Sequence, residues 1–73
     1  MPHVDIQMLA GRDESTKERV AKAVTATVLK ELGCDPSHLS VAIHDFQKKD
    51  WNTFADTVNE DKIYTGKLFK FEE

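Results

Sequence analysis

The chain has one cysteine, three glycines, two prolines and no surplus of basic charge among its 73 residues. Cys34 on its own forms no internal disulfide and reads as an incidental thiol in a turn. No Cys/His group has the spacing of metal ligands, so neither a cross-link nor a structural metal is expected to staple the fold. The net charge of −3 is the wrong sign for nucleic acid, which calls for a basic stripe. The longest apolar run is far too short to cross a membrane. The opening Met1-Pro2-His3-Val4-Asp5 lacks the charged and apolar regions of a secretory signal, so a reduced, cytoplasmic setting is the expectation. There are no repeats and no low-complexity tract.

What remains is an ordinary soluble composition, 40% hydrophobic and 32% charged. The length fits a single domain over residues 1–73, with a core too small to be more than marginally stable alone. With disulfides and metals excluded, oligomerisation is the remaining way to stabilise it.

Residues 3–9 alternate, with Val4, Ile6 and Met8 apolar and His3, Asp5 and Gln7 polar, which predicts a strand with one buried face. Gly11-Arg12-Asp13 breaks the pattern. Asp13 is placed to cap a helix, and Glu14 puts a second negative charge where the helix dipole favours it. From Glu14 to Leu32 the period becomes helical: Val20, Ala23, Val24, Thr27, Val28 and Leu32 form an apolar stripe, with Lys17, Glu18, Lys22 and Lys30 off it. Gly33 is the expected terminator. Residues 39–46 return to period two, with Leu39, Val41 and Ile43 on one face and Ser40, Ala42 and His44 on the other.

Strand, helix and strand over residues 2–46 make a β-α-β unit of the α/β (α+β) class with parallel strands. One helix covers one face of a two-stranded sheet, and both edges stay open, so pairing with a second subunit into a four-stranded sheet is expected. Residues 47–73 are less legible. Trp51, Phe54 and Val58 fit a short helix over 48–58, and Ile63 to Phe71 reads as a terminal strand or a docking arm.

The second residue carries a chemical possibility. Removal of Met1 leaves Pro2 with a free secondary amine, a base and nucleophile held rigidly by its own ring. An unperturbed α-amino group titrates at roughly 7.7–8.0. Apolar surroundings and a nearby guanidinium would push it toward the neutral form that a general base needs.

Pro2 after the initiator Met, the Gly11-Arg12 turn, one long helix, and a second strand leading to an aromatic near position 50 resemble the 4-oxalocrotonate tautomerase family. The likeness covers roughly residues 2–51. It implies a tautomerase fold assembled as a homodimer, or as a hexamer built from three dimers, acting on a small-molecule 2-oxo acid without cofactor. Pro2 would be the catalytic base moving a proton between the oxygen and carbon of an enol. Arg12 matches the family arginine that engages a substrate carboxylate, and Trp51 a pocket phenylalanine. The family's second arginine falls on Ser40. That departure favours a substrate with one carboxylate, such as an arylpyruvate enol, unless His44, Lys48 or Lys49 takes the arginine's place.

Each residue also has a plainer reading. Arg12 can be a solvated loop charge, Trp51 a core or interface anchor, His44 an ordinary strand residue and Lys48-Lys49 a solvated corner. His3 and Asp5 read as lining a subunit face. Two other functions stay open. A protonated Pro2 could serve a hydratase, dehalogenase or decarboxylase, which calls for an added carboxylate near the site. A chain that keeps Met1 makes Pro2 an amide and leaves a non-catalytic binding or assembly module.

Overall fold

The computed structural model describes residues 1–72. Glu73, the last residue of the expected arm, lies outside the described residues. Strand β1 (His3–Leu9) leads into helix α1 (Glu14–Leu32), a short 3-10 turn (Pro36–His38), strand β2 (Ser40–Phe46), helix α2 (Lys48–Ala55) and a second 3-10 turn (Glu60–Lys62). The two strands pair in parallel, with His3 opposite Ser40 and Leu9 opposite Phe46. Backbone bonds from Ser40 N–H to the Pro2 carbonyl (3.3 Å) and from Ala10 N–H to the Phe46 carbonyl (2.9 Å) extend the ladder at both ends.

The register sorts the side chains. Val4, Ile6 and Met8 share a face with Val41, Ile43 and Asp45, while His3, Asp5, Gln7 and Leu9 share the other with Ser40, Ala42, His44 and Phe46. Helix α1 covers the first face, chiefly over β2. It starts where expected: the Asp13 side chain accepts from the Thr16 amide at 2.8 Å. These hydrogen bonds to Thr16 hold the Asp13 carboxyl below its ordinary value. It ends at Gly33, whose left-handed backbone (φ 63°) lets its N–H reach the Leu29 carbonyl at 3.0 Å.

Two details of α1 differ from the periodicity. Ala23, Thr27 and Leu32 of the stripe are exposed, Leu32 at 65%. The helix sits over one strand, so half of its apolar arc faces nothing. Lys17, expected off the stripe, is half-buried with its side chain only 18% exposed, and its ammonium donates to Asp45 on β2 while lying 3.4 Å from Glu14. Its alkyl stem covers apolar surface while the charge finds an acid. The hydrogen bond to Asp45 is the main cause that raises its pKa above the ordinary 10.5.

Phe46 lies on the face away from α1 and carries α2. It stacks on Phe54 (4.8 Å between centroids) and meets Trp51 edge-on (6.1 Å). Trp51 and Ala55, at 9% and 1% exposure, are the buried hydrophobic residues among those described. The expected short helix therefore forms, ending at Ala55 rather than Val58. No strand forms over the last ten described residues; the chain there is an arm laid against α2. The Trp51 indole N–H donates to the Phe69 carbonyl at 2.7 Å. Asn52 pairs with the backbone of Phe71 at both groups, its amide donating to the carbonyl (2.7 Å) and its oxygen accepting from the N–H (2.8 Å). Lys70 adds an ion pair to Asp56 at 2.9 Å. Among the described residues no helix is long and apolar enough to cross a membrane.

Two outcomes follow from these contacts. Lys17→Met should lower the midpoint of urea unfolding at neutral pH. A lysine whose folded pKa is raised stabilises below its unfolded value and loses the effect as pH rises through the folded one. On the alkaline side the difference between variant and wild type should therefore shrink above about pH 10.5. Asn52→Ala should release the arm, seen as faster hydrogen exchange at the Phe71 amide with protection of the β1–β2 ladder unchanged.

Candidate functional site

Pro2 stands at the start of β1, half-buried, with its carbonyl fixed by the Ser40 amide. Proline brings no N–H, so the ladder places no demand on its nitrogen. Ser40 is therefore beside Pro2, as the parallel register requires.

The face of the sheet away from α1 carries a chain of polar contacts that starts at this end and runs to His44, opposite Gln7. Ser40 Oγ and His3 Nδ1 are hydrogen-bonded at 2.6 Å. His3 Nε2 lies 3.2 Å from Asp5 Oδ1, and His44 Nε2 approaches the same oxygen at 3.2 Å. An ionised Asp5 only accepts, so His44 presents its Nε2–H to it. All three of these titratable side chains are about half exposed. The sequence placed His3 and Asp5 on an open face; it gave no sign that Asp5 would join two histidines from different strands. Among the described residues no group of three or more His, Cys, Asp or Glu side chains is arranged to hold a metal ion.

Arg12 and Trp51 lie at the opposite end. Arg12 follows Gly11, whose positive φ of 135° turns the chain out of β1. Its side chain is exposed and has no ion-pair partner among the described residues. Trp51 is packed among Phe46 and Phe54 with its indole N–H taken by the arm. With a rise of about 3.3 Å per residue, β1 separates Pro2 from Leu9, and so from the Gly11-Arg12 turn beyond it, by roughly 23 Å. One chain thus sets Pro2 beside Ser40 at one end of the sheet, with the His3–Asp5–His44 contacts running from there along the sheet face toward His44, opposite Gln7. Arg12 and Trp51 follow the other ends of the two strands, so Pro2 and Arg12 do not meet within a protomer.

A residue missed by the sequence reading is Asn52, which latches the arm. Its signal was available: asparagine is a poor helix former, and here it sits mid-helix beside a buried tryptophan. Next to it, α2 and the arm bound a recess of about 410 Å³ lined by Lys48, Lys49, Asn52, Phe71 and Glu72.

Comparison with known proteins places this geometry in a family. The sequence pattern of a family described as "Tautomerase enzyme" matches residues 2–62. A probable tautomerase of Xylella fastidiosa is 37% identical over 51 residues, 70% of this chain and 62% of that protein. The match thus spans less than two thirds of that relative's length. Tautomerase PptA of Escherichia coli is 31% identical over 58 residues, 78% of this chain and 77% of that one. Among solved structures, a 4-oxalocrotonate tautomerase isozyme from Methylibium petroleiphilum superposes with a TM-score of 0.65 at 32% identity, covering 68% of this chain and 81% of that one. The β-α-β unit with parallel strands is the fold they share. On pattern, sequence and fold together, the chain belongs to the tautomerase family.

Proposed function

We propose that the protein is an enol–keto tautomerase of 2-oxo acids bearing a single carboxylate, with Pro2 as general base once Met1 is removed. The observation that carries the reading is the position of Pro2. Its carbonyl is locked into the ladder, and its nitrogen sits outside it at an open end of the sheet. The free amine takes the proton from the enol hydroxyl and returns it to the neighbouring carbon. The proton moves between two atoms of one molecule, so the reaction balances without a cofactor.

The separation of Pro2 from Arg12 is consistent with a site built from two copies. Both outer edges of the β1–β2 sheet are open. If two β1 edges meet about a two-fold axis they run antiparallel, and the Pro2 end of one lies beside the Leu9–Arg12 end of the other. Arg12 would then grip the substrate carboxylate through two parallel hydrogen bonds and stabilise the enolate oxygen. The Trp51–Phe46–Phe54 cluster would supply the apolar border that favours a neutral amine. Beside Pro2 stand the Ser40 hydroxyl and the His3 imidazole rather than a second guanidinium, which suits one carboxylate better than two. The same pairing gives the homodimer, and three such dimers a hexamer.

Ketonisation of phenylenolpyruvate, followed by ultraviolet absorbance, tests the reading with protein shown by mass to lack Met1. Pro2→Ala should lower kcat/KM by about two to four orders of magnitude; equal turnover by wild type and variant would sink the assignment. Refolding an equimolar mixture of Pro2→Ala and Arg12→Ala chains should restore about one quarter of wild-type activity, because half the dimers are mixed and one of their two sites is intact. No recovery would mean that Pro2 and Arg12 do not meet across subunits.

A further inference from the structure

The recess between α2 and the arm is built partly from residues outside the family match. The matched pattern ends at residue 62, whereas Phe71 and Glu72 form one wall. The two-point bond between Asn52 and the Phe71 backbone fixes that wall. At about 410 Å³ its volume falls in the range of small-molecule sites. The Lys48 ammonium lies 4.9 Å from the centroid of the Phe71 ring, a cation–π contact that holds one charge over one aromatic face. Lys49 has no ion-pair partner among the described residues.

The charges run against their surroundings. Among the described residues, the charged groups that line the recess are Lys48, Lys49 and Glu72. Both lysines occupy the first turn of α2, where the helix dipole disfavours cations. The contact with Phe71 accounts for Lys48, but no ion pair or ring contact among the described residues accounts for Lys49, and a local rule broken without a structural gain points to a functional constraint.

We infer that this recess binds a small aromatic monocarboxylate. The ring lies against Phe71 and the alkyl stems of the lysines, and the carboxylate meets the Lys49 and Lys48 ammonium groups. Glu72 at the rim disfavours a second carboxylate. The binding goes beyond the proposed reaction and needs no amine at Pro2: within one chain the recess is at the far end of the sheet from it.

Phenylacetate, which carries the ring and the charge but cannot enolise to a 2-oxo acid, is the probe. Titration of the full chain is read by the fluorescence of Trp51, its one tryptophan, and by the amide shifts of residues 48–52 and 71. A saturable response at these residues, weakened by salt and retained in Arg12→Ala, is expected. Lys49→Ala should reduce affinity roughly three- to tenfold, with Lys49→Arg retaining most of it. Benzyl alcohol, without the charge, and phenylsuccinate, with two, should bind more weakly than phenylacetate. Pro2→Ala should bind as wild type does. No saturable response, equal affinity in Lys49→Ala, equal affinity for benzyl alcohol, or loss of binding in Pro2→Ala would each overturn the inference. Turnover without this response defeats the recess and leaves the tautomerase reading standing; the response without turnover does the reverse.

Discussion

Parallel pairing of β1 with β2 is the constraint on which everything else hangs. Parallel strands need a long crossover, and α1 is that crossover, so the pairing fixes where the helix lies and which sheet face it covers. It also fixes which chain positions are neighbours. Pro2 meets Ser40, Leu9 meets Phe46, and the start of β1 is held away from the turn that follows it. An antiparallel pairing would have reversed those neighbours.

The same constraint explains why the protomer is so open. One helix over two strands encloses little, and Trp51 and Ala55 are the buried apolar residues among those described, both on α2 rather than in the β-α-β unit. The α1 interface is held instead by half-buried residues and by the Lys17–Asp45 ion pair, a polar tie at the margin of the apolar contact. On the opposite face α2 and the arm form a compact cluster of their own, in which a tryptophan and an asparagine reach backbone groups of an otherwise irregular segment. Such bonds replace the ladder partners that an arm without strand pairing lacks.

The β-α-β unit was legible because its signals are local. Alternation at residues 3–9 and 39–46, the stripe after Asp13 and the stop at Gly33 each depend on near neighbours, and the observed elements agree within a residue or so. The arm was less legible: Leu68/Lys70 and Phe69/Phe71 alternate as a strand does, but no strand lies beside them, and alternation alone does not form a ladder. Lys17 was misplaced because amphipathic periodicity treats every lysine as polar, whereas its stem can be covered while its charge is paired.

The sequence by itself determined the element order, the helix caps, the family resemblance and the identity of Pro2, Arg12, Ser40, His44 and Trp51 as the residues to watch. Only the tertiary structure decided how they are grouped: Pro2 with Ser40 and His3 at one end, Asp5 joined to His44 farther along the sheet, and Arg12 and Trp51 beyond the other end. It also decided that Trp51 is buried with its N–H engaged and that Lys48 and Lys49 line a recess with Phe71. The reason is range. Caps and periodicity are set by residues three or four apart, whereas His3 reaches Ser40 across 37 positions and Asn52 reaches Phe71 across 19, separations that are closed only when the strands pair and the arm docks.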